Sequence, residues 1–163
     1  MNLYCDYDGV LVNHRKGFND VLGHSWYDDE YFISNGIDKK KLISEYPDFW
    51  ANLERMPDYG LIWDYIKGHS PSIITAYADW DKGNSIAGKR QWNDKHTQLP
   101  QCRLHIVARC DKQNFAFTDQ PNLLIDDSEL NISEWIAGGG IGVWHNRNRA
   151  TATIDQLKAI GVY

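Results

Sequence analysis

Short apolar runs bounded by turn residues alternate along this chain with stretches of helical period, and no segment repeats another. The runs Leu3 to Tyr7, Ser72 to Ala76, Leu104 to Ala108, Leu123 to Ile125 and Ile141 to Trp144 predict five short strands. Tyr59–Lys67 reads as a helix, because Leu61, Ile62, Tyr65 and Ile66 share one face and Gly68 and Pro71 stop it. Glu129–Ala137 reads as a second helix, closed by Gly138-Gly139-Gly140, and Ile154 to Ile160 as a last one with Thr153 as its cap. No helix is predicted between the third and fourth strands. Strands alternating with helices imply an α/β fold, a doubly wound parallel sheet with its ligand site at the carboxyl ends of the strands.

Residues 13–56 break this rhythm. They separate the first strand from the helix leading to the second and carry Trp26, Tyr27, Tyr31, Phe32, Phe49 and Trp50 among many charges. A structureless loop of that length is improbable in a compact domain, so the segment reads as a small, mainly helical cap insertion over the site. With 163 residues in total, residues 1–163 form one domain with the cap inside it.

Composition narrows the partners. Hydrophobic residues at 42% and charged residues at 24% exclude a disordered chain, and a formal charge of −5 provides no basic footprint for nucleic acid or an anionic membrane. Cys5, Cys102 and Cys110 are an odd number at spacings that match neither a disulfide framework nor a zinc site, so reduced thiols are expected. The start MNLYCDYDG lacks the pattern of a signal peptide, and a cytoplasmic location is the expectation. Nothing in the sequence decides for or against a homodimer.

The sharpest chemical signal is Asp6-Tyr7-Asp8-Gly9-Val10-Leu11, where an apolar strand runs out. In extended chain, residues two apart point the same way, so both carboxylates face one volume. Such a pair needs a cation or a shared proton, and a hard cation such as Mg²⁺ suits one or two carboxylates with water and phosphate. A calcium loop counted from Asp6 fails, since Val10, Leu11 and Gly17 fall where an oxygen ligand, Gly and Glu are needed. Taken alone, the motif more often caps or turns a surface loop.

A second acidic pair, Asp126-Asp127, also ends a predicted strand. Parallel strands end on one edge, so four carboxylates converge there with no compensating charge nearby in sequence, which demands a metal. Asp127 or Ser128 can also cap the following helix. Thr75 ends the second strand with a hydroxyl able to donate to a phosphate oxygen, and Lys89 and Lys112 are the basic groups available to balance an anion. His24, His69, His96, His105 and His145 show no metal-ligand spacing. The Gly138–Gly142 run precedes a strand, whereas a dinucleotide fingerprint follows one. Lys39-Lys40-Lys41 reads as a solvated helix face.

The order Asp-x-Asp-Gly-Val, strand Thr, Lys, then Asp-Asp after a strand resembles the haloacid dehalogenase superfamily of phosphotransfer enzymes across nearly the whole chain. Phe49 to Pro57, Ile74-Thr75, Lys89 to Trp92, Asp111-Lys112 and Leu123 to Asp127 are similar to its 5′(3′)-deoxyribonucleotidase branch. The resemblance implies Asp6 as a nucleophile forming an aspartyl-phosphate and Asp8 as the acid that protonates the leaving oxygen. It implies Mg²⁺ on the Asp6 carboxylate, the Asp8 carbonyl and Asp127, with Asp126 in support. Thr75 and a lysine, Lys112 before Lys89, would hold the phosphoryl oxygens. Asp8 is then expected to have a raised pKa.

The implied function is a Mg²⁺-dependent phosphomonoesterase of a nucleoside monophosphate. The alternatives are another small phosphate ester, a nucleic-acid 3′-phosphate end, or a non-catalytic nucleotide-binding module. Three departures touch substrate identity more than catalysis: Ala76 stands where the branch has Ser, His14 where it has a base-stacking aromatic, and Cys110 where it has Arg, with Arg109 adjacent. His14, Phe49 and Trp50 are the candidate substrate contacts; the two aromatics fit equally a base-stacking wall or the cap's own core.

Overall fold

The computed structural model describes residues 1–163. Five parallel strands, β1 (Leu3–Cys5), β2 (Ser72–Ala76), β3 (Leu104–Val107), β4 (Leu123–Asp126) and β5 (Ile141–Trp144), form one sheet in the order β3-β2-β1-β4-β5. The five predicted strands are all present. The first ends at Cys5 rather than Tyr7, because the chain turns after one further ladder bond from the Asp6 N–H to the Ile125 carbonyl, 2.9 Å. The third is one residue shorter than predicted.

Both faces of the sheet are covered, and strand alternation sorts the side chains between them. Leu3, Cys5, Ile73, Leu123, Ile125 and Val143 enter the larger core with Tyr59, Ile62 and Ile66 of the fourth helix, α4 (Tyr59–Ile66), and Leu157 of the seventh, α7 (Ala150–Ala159). Tyr4, Ile74 and Leu124 point the other way, onto Ile132 and Trp135 of α6 (Glu129–Ala137). Ser128 caps α6 by accepting from the Asn131 N–H.

Two departures from the sequence expectation have local causes. Helix α7 starts at Ala150, four residues before Ile154, because the Asp58 carboxylate at the start of α4 accepts the Ala150 N–H at 3.1 Å; Thr153 is inside the helix and bonds His145 Nδ1 at 2.8 Å. Between β3 and β4, Arg109–Phe115 forms a 3-10 segment with Lys112 buried on it.

Helix α5 (Lys82–Lys95) joins β2 to β3 without an apolar stripe, since its buried residues are Ser85, Gly88, Lys89, Trp92 and Asn93. Asn93 accepts from the Thr97 hydroxyl at 2.7 Å and from the Leu99 N–H at 3.2 Å, so this polar face is satisfied rather than solvated.

Between β1 and α4 lie three short helices, α1 (His14–Leu22), α2 (Asp29–Ser34) and α3 (Lys39–Ser44), and a 3-10 turn at Trp50–Asn52. Phe18 organises them: its ring stacks on Trp26 at 4.3 Å and on Phe49 at 5.2 Å between centroids. Lys39 is not solvated as expected; its ammonium lies 4.4 Å from the Trp26 ring centroid and donates to the Trp26 carbonyl at 2.6 Å. The turn at Trp50 packs on α5 where Gly88 leaves room, a Cβ there falling 2.4 Å from Trp50 Cβ and 2.9 Å from the Ala51 nitrogen. Gly88→Ala is therefore expected to destabilise the protein by about 1–3 kcal/mol through overpacking, read as a lower midpoint in urea unfolding. An unchanged midpoint would show that the turn yields freely.

Candidate active site

The site is built at the carboxyl edge of β1, β2 and β4. After β1 the chain folds into a tight loop in which the Leu11 and Val12 N–H groups donate to the Tyr7 carbonyl at 2.8 and 2.7 Å and the Gly9 N–H to the Val12 carbonyl at 2.9 Å. Tyr7 is buried and its hydroxyl lies 2.9 Å from the Thr97 hydroxyl, which anchors the loop from beneath. Gly9 has φ +83°, and a Cβ there would fall 2.1 Å from Asp127 Oδ2; both the left-handed backbone and the closeness of Asp127 require glycine. Asp6 and Asp8 thus face the site from a loop, not from the strand period that the sequence suggested.

Asp6, Asp126 and Asp127 each bring an oxygen to within 4.8 Å of the others. The charges are compensated from distant parts of the chain, contrary to the expectation that only a metal could do so. Lys112 Nζ lies 3.0 Å from Asp6 Oδ1 and donates to Asp126 Oδ2 at 2.8 Å. Lys89 Nζ pairs with Asp8 and donates to Thr75 Oγ1 at 2.8 Å. Arg147, just beyond β5, donates to Asp127 Oδ2 through Nε at 2.8 Å and Nη2 at 2.5 Å. Four carboxylates therefore meet three cations.

Asp126 is fully buried and saturated, since besides Lys112 it accepts from the Ser128 N–H at 2.9 Å and from Asn131 Nδ2 at 3.1 and 3.0 Å. Asp8 Oδ1 is buried without a partner, and no N–H donates to the Asp8 carbonyl. Carboxylate oxygens at this spacing fit a hard divalent cation held by Asp6 and Asp127, with Asp126 behind them and the unbonded Asp8 carbonyl as the donor that the resemblance adds.

The electrostatics separate the two loop carboxylates. Burial pushes Asp6 up to about 7, with Asp126 and Asp8 adding to the rise and Lys112 opposing it. Burial would raise Asp8 too, but the adjacent Lys89 ammonium, His14 and Lys112 together outweigh it and hold Asp8 below the usual carboxylate range. This reverses the expectation of a raised Asp8: the sequence could not show that Lys89 lies against it. Burial lowers His14 and His145, keeping both imidazoles neutral more readily.

A cavity of about 230 Å³ adjoins Asp8 and is lined by His14, Phe18, Trp26, Trp50, Tyr77 and Trp80, with Ala76 and Ala78. His14 and Trp50, proposed from sequence as substrate contacts, border it. Phe49 does not; it stacks behind Phe18 and borders a separate cleft of about 350 Å³ with Tyr46 and Leu53. Sequence reading missed Arg147, Asn131, Trp80 and Phe18. Arg147 had a usable signal, a basic residue just past the last strand and hence on the same edge; the others had none.

The fold is shared with solved structures of distant sequence. A protein described as a dehalogenase matches with a TM-score of 0.54 at 10% identity over 99% of this chain and 97% of that one. A protein from Thermotoga maritima described as a β-phosphoglucomutase matches with a TM-score of 0.50 at 14% identity over 98% and 100%. This is the haloacid dehalogenase-like fold. No family model matches the sequence, and no curated protein is significantly similar to it. No helix is long and apolar enough to cross a membrane.

Folded Asp6, with its pKa near 7 against an ordinary 3.8, holds a proton that the unfolded chain has released between those values. In the metal-free protein its contribution to stability therefore falls as pH rises through that window and is least favourable above 7. Asp6→Asn is expected to raise the melting temperature of metal-free protein by about 2–4 °C or more at pH 8 and by less at pH 5.5, measured by calorimetry. A larger gain at the lower pH would contradict the assignment.

Proposed function

We propose that this protein is a Mg²⁺-dependent phosphomonoesterase acting on a nucleoside monophosphate through an aspartyl-phosphate at Asp6. The observation that carries this reading is the meeting of Asp6, Asp126 and Asp127 within 4.8 Å, with Lys112 between the first two, at the edge where an aromatic cavity opens. The fold shared with a protein described as a dehalogenase is consistent with it.

A carboxylate approaching a dianionic phosphate is opposed by like charge. Lys112, held 3.0 Å from the Asp6 carboxylate, offsets that repulsion, and a bound Mg²⁺ would supply further charge neutralisation at the phosphoryl oxygens. In the first step an Asp6 oxygen bonds to phosphorus while the ester P–O bond breaks and its electron pair leaves with the alcohol oxygen. In the second, a water oxygen attacks phosphorus, the acyl-phosphate bond breaks, inorganic phosphate departs and Asp6 is regenerated.

Asp8 supplies the proton to the leaving oxygen and takes one from water in the second step. It begins ionised because of Lys89. A phosphoryl group at Thr75 competes with Asp8 for that ammonium and brings negative charge beside it, so substrate binding itself moves Asp8 toward its protonated form. Trp50 and Trp80 offer faces on which a planar base can stack, and this favours a nucleoside as the leaving group.

Full-length protein with Mg²⁺ is expected to release phosphate from p-nitrophenyl phosphate and nucleoside monophosphates. Asp6→Asn should lower kcat at least 10³-fold and chelation of the metal should abolish turnover; parental rates in that variant would exclude Asp6 as nucleophile. Trp80→Ala is expected to raise KM for the best nucleoside monophosphate about tenfold, in line with base stacking worth about 1–3 kcal/mol. Its hydrolysis of acetyl phosphate, which has no ring to stack, should stay unchanged; equal losses on both substrates would remove the cavity from base recognition.

A further inference from the structure

A third cavity, of about 370 Å³, opens on Asp127 instead of Asp8 and is lined by Arg15, Asp127, Trp144, His145, Asn146 and Arg147. It shares no lining residue with the aromatic cavity, yet the two flank the first turn of α1, where His14 borders one and Arg15 the other. Two guanidinium groups thus line one recess in a chain of net charge −5. Neither is needed at the reacting phosphoryl group, which Lys89, Lys112 and Thr75 already serve in the function proposed above.

The two arginines differ: Arg15 is free of carboxylates, whereas Arg147 already pairs with Asp127. Arg15 makes no ion pair; its guanidinium carbon lies 4.6 Å from the centroid of the Tyr27 ring. A guanidinium stacked on an aromatic face keeps its in-plane N–H edges free for a bidentate anion. Arg147 spends Nε and Nη2 on Asp127 Oδ2. The phenol of Tyr27 also neighbours Arg147, so one cap residue borders both cations. Asn146 adds an uncharged amide at the rim.

We infer that this recess is a subsite for a second anionic group on the substrate, so that the preferred ligand is a bisphosphorylated small molecule with one phosphate at Asp6 and another between Arg15 and Arg147. The inference rests on the phosphomonoesterase reading for the placement of the first phosphate. It adds a determinant of substrate choice that the aromatic cavity cannot supply, because stacking is indifferent to charge at a distance from the ring.

The test is calorimetric titration of full-length Asp6→Asn protein with Mg²⁺, a variant that blocks turnover and removes one charge that repels phosphate. Thymidine 3′,5′-bisphosphate is compared with thymidine 5′-monophosphate, and fructose 1,6-bisphosphate with fructose 6-phosphate. The bisphosphate is expected to bind at least tenfold more tightly in one pair or both. Adding Arg15→Gln should bring the pair to within twofold while leaving the monophosphate Kd within twofold of its starting value; Arg147→Gln should likewise erase the preference. Equal affinities in both pairs, or a preference that survives both substitutions, overturns the subsite. A preference in the sugar pair with no nucleotide binding upholds the subsite and rejects the nucleoside reading. Inorganic phosphate binding to the monophosphate complex as tightly as the bisphosphate binds would reject attachment of the second anion to the substrate.

Discussion

The ion pair on which the site depends is the one Lys112 makes between Asp6 and Asp126. Sheet order places β1 beside β4, so the carboxylates that follow these two strands are forced together whatever their chemistry. Like charges at that separation in a buried place would oppose folding. Lys112, almost fully buried on the 3-10 segment after β3, relieves the conflict, and the two carboxylates in turn push its own pKa upward so that it stays charged. The backbone and Asn131 bonds to Asp126 complete the compensation on one side; Asp6, without such donors, is pushed up to about 7 chiefly by its burial.

A carboxylate held in this way differs from a purely structural one. Asp126 has its acceptors filled and is a brace. Asp6 is left short of partners within reach of Asp127, and Asp8 is held ionised by a lysine that also touches Thr75. Two carboxylates two residues apart thus have opposite electrostatic characters: burial prevails over the lysines at Asp6, whereas Lys89, His14 and Lys112 together prevail over it at Asp8. The inserted segment adds asymmetry of another kind: its aromatic rings border the cavity on the Asp8 side, and its Arg15 borders the one on the Asp127 side.

Much of the scaffold was legible because strand burial on both faces produces uninterrupted apolar runs, and each of the five predicted runs is a strand. Both acidic pairs were legible by their position at strand ends. Helix α5 was not, since its inward face carries Ser85, Lys89 and Asn93, whose burial depends on partners such as Thr97 and Thr75 that the pattern does not reveal. The start of α7 was missed for a related reason, its first N–H being taken up by Asp58, 92 residues away. Phe49 and Trp50, adjacent in sequence, parted company in space: Trp50 faces the cavity while Phe49 supports Phe18.

By itself the sequence determined the fold class and the carboxylates that would gather at the sheet's edge, because alternation and strand termini are local properties of the chain. Which cation answers each carboxylate was decided only by the tertiary structure. Lys89, Lys112 and Arg147 come from a helix, a 3-10 segment and a loop far apart in sequence, and Coulomb energies depend on distances that the order of residues does not contain. For that reason Asp8, expected to hold a proton, is instead the more acidic of the loop's two carboxylates.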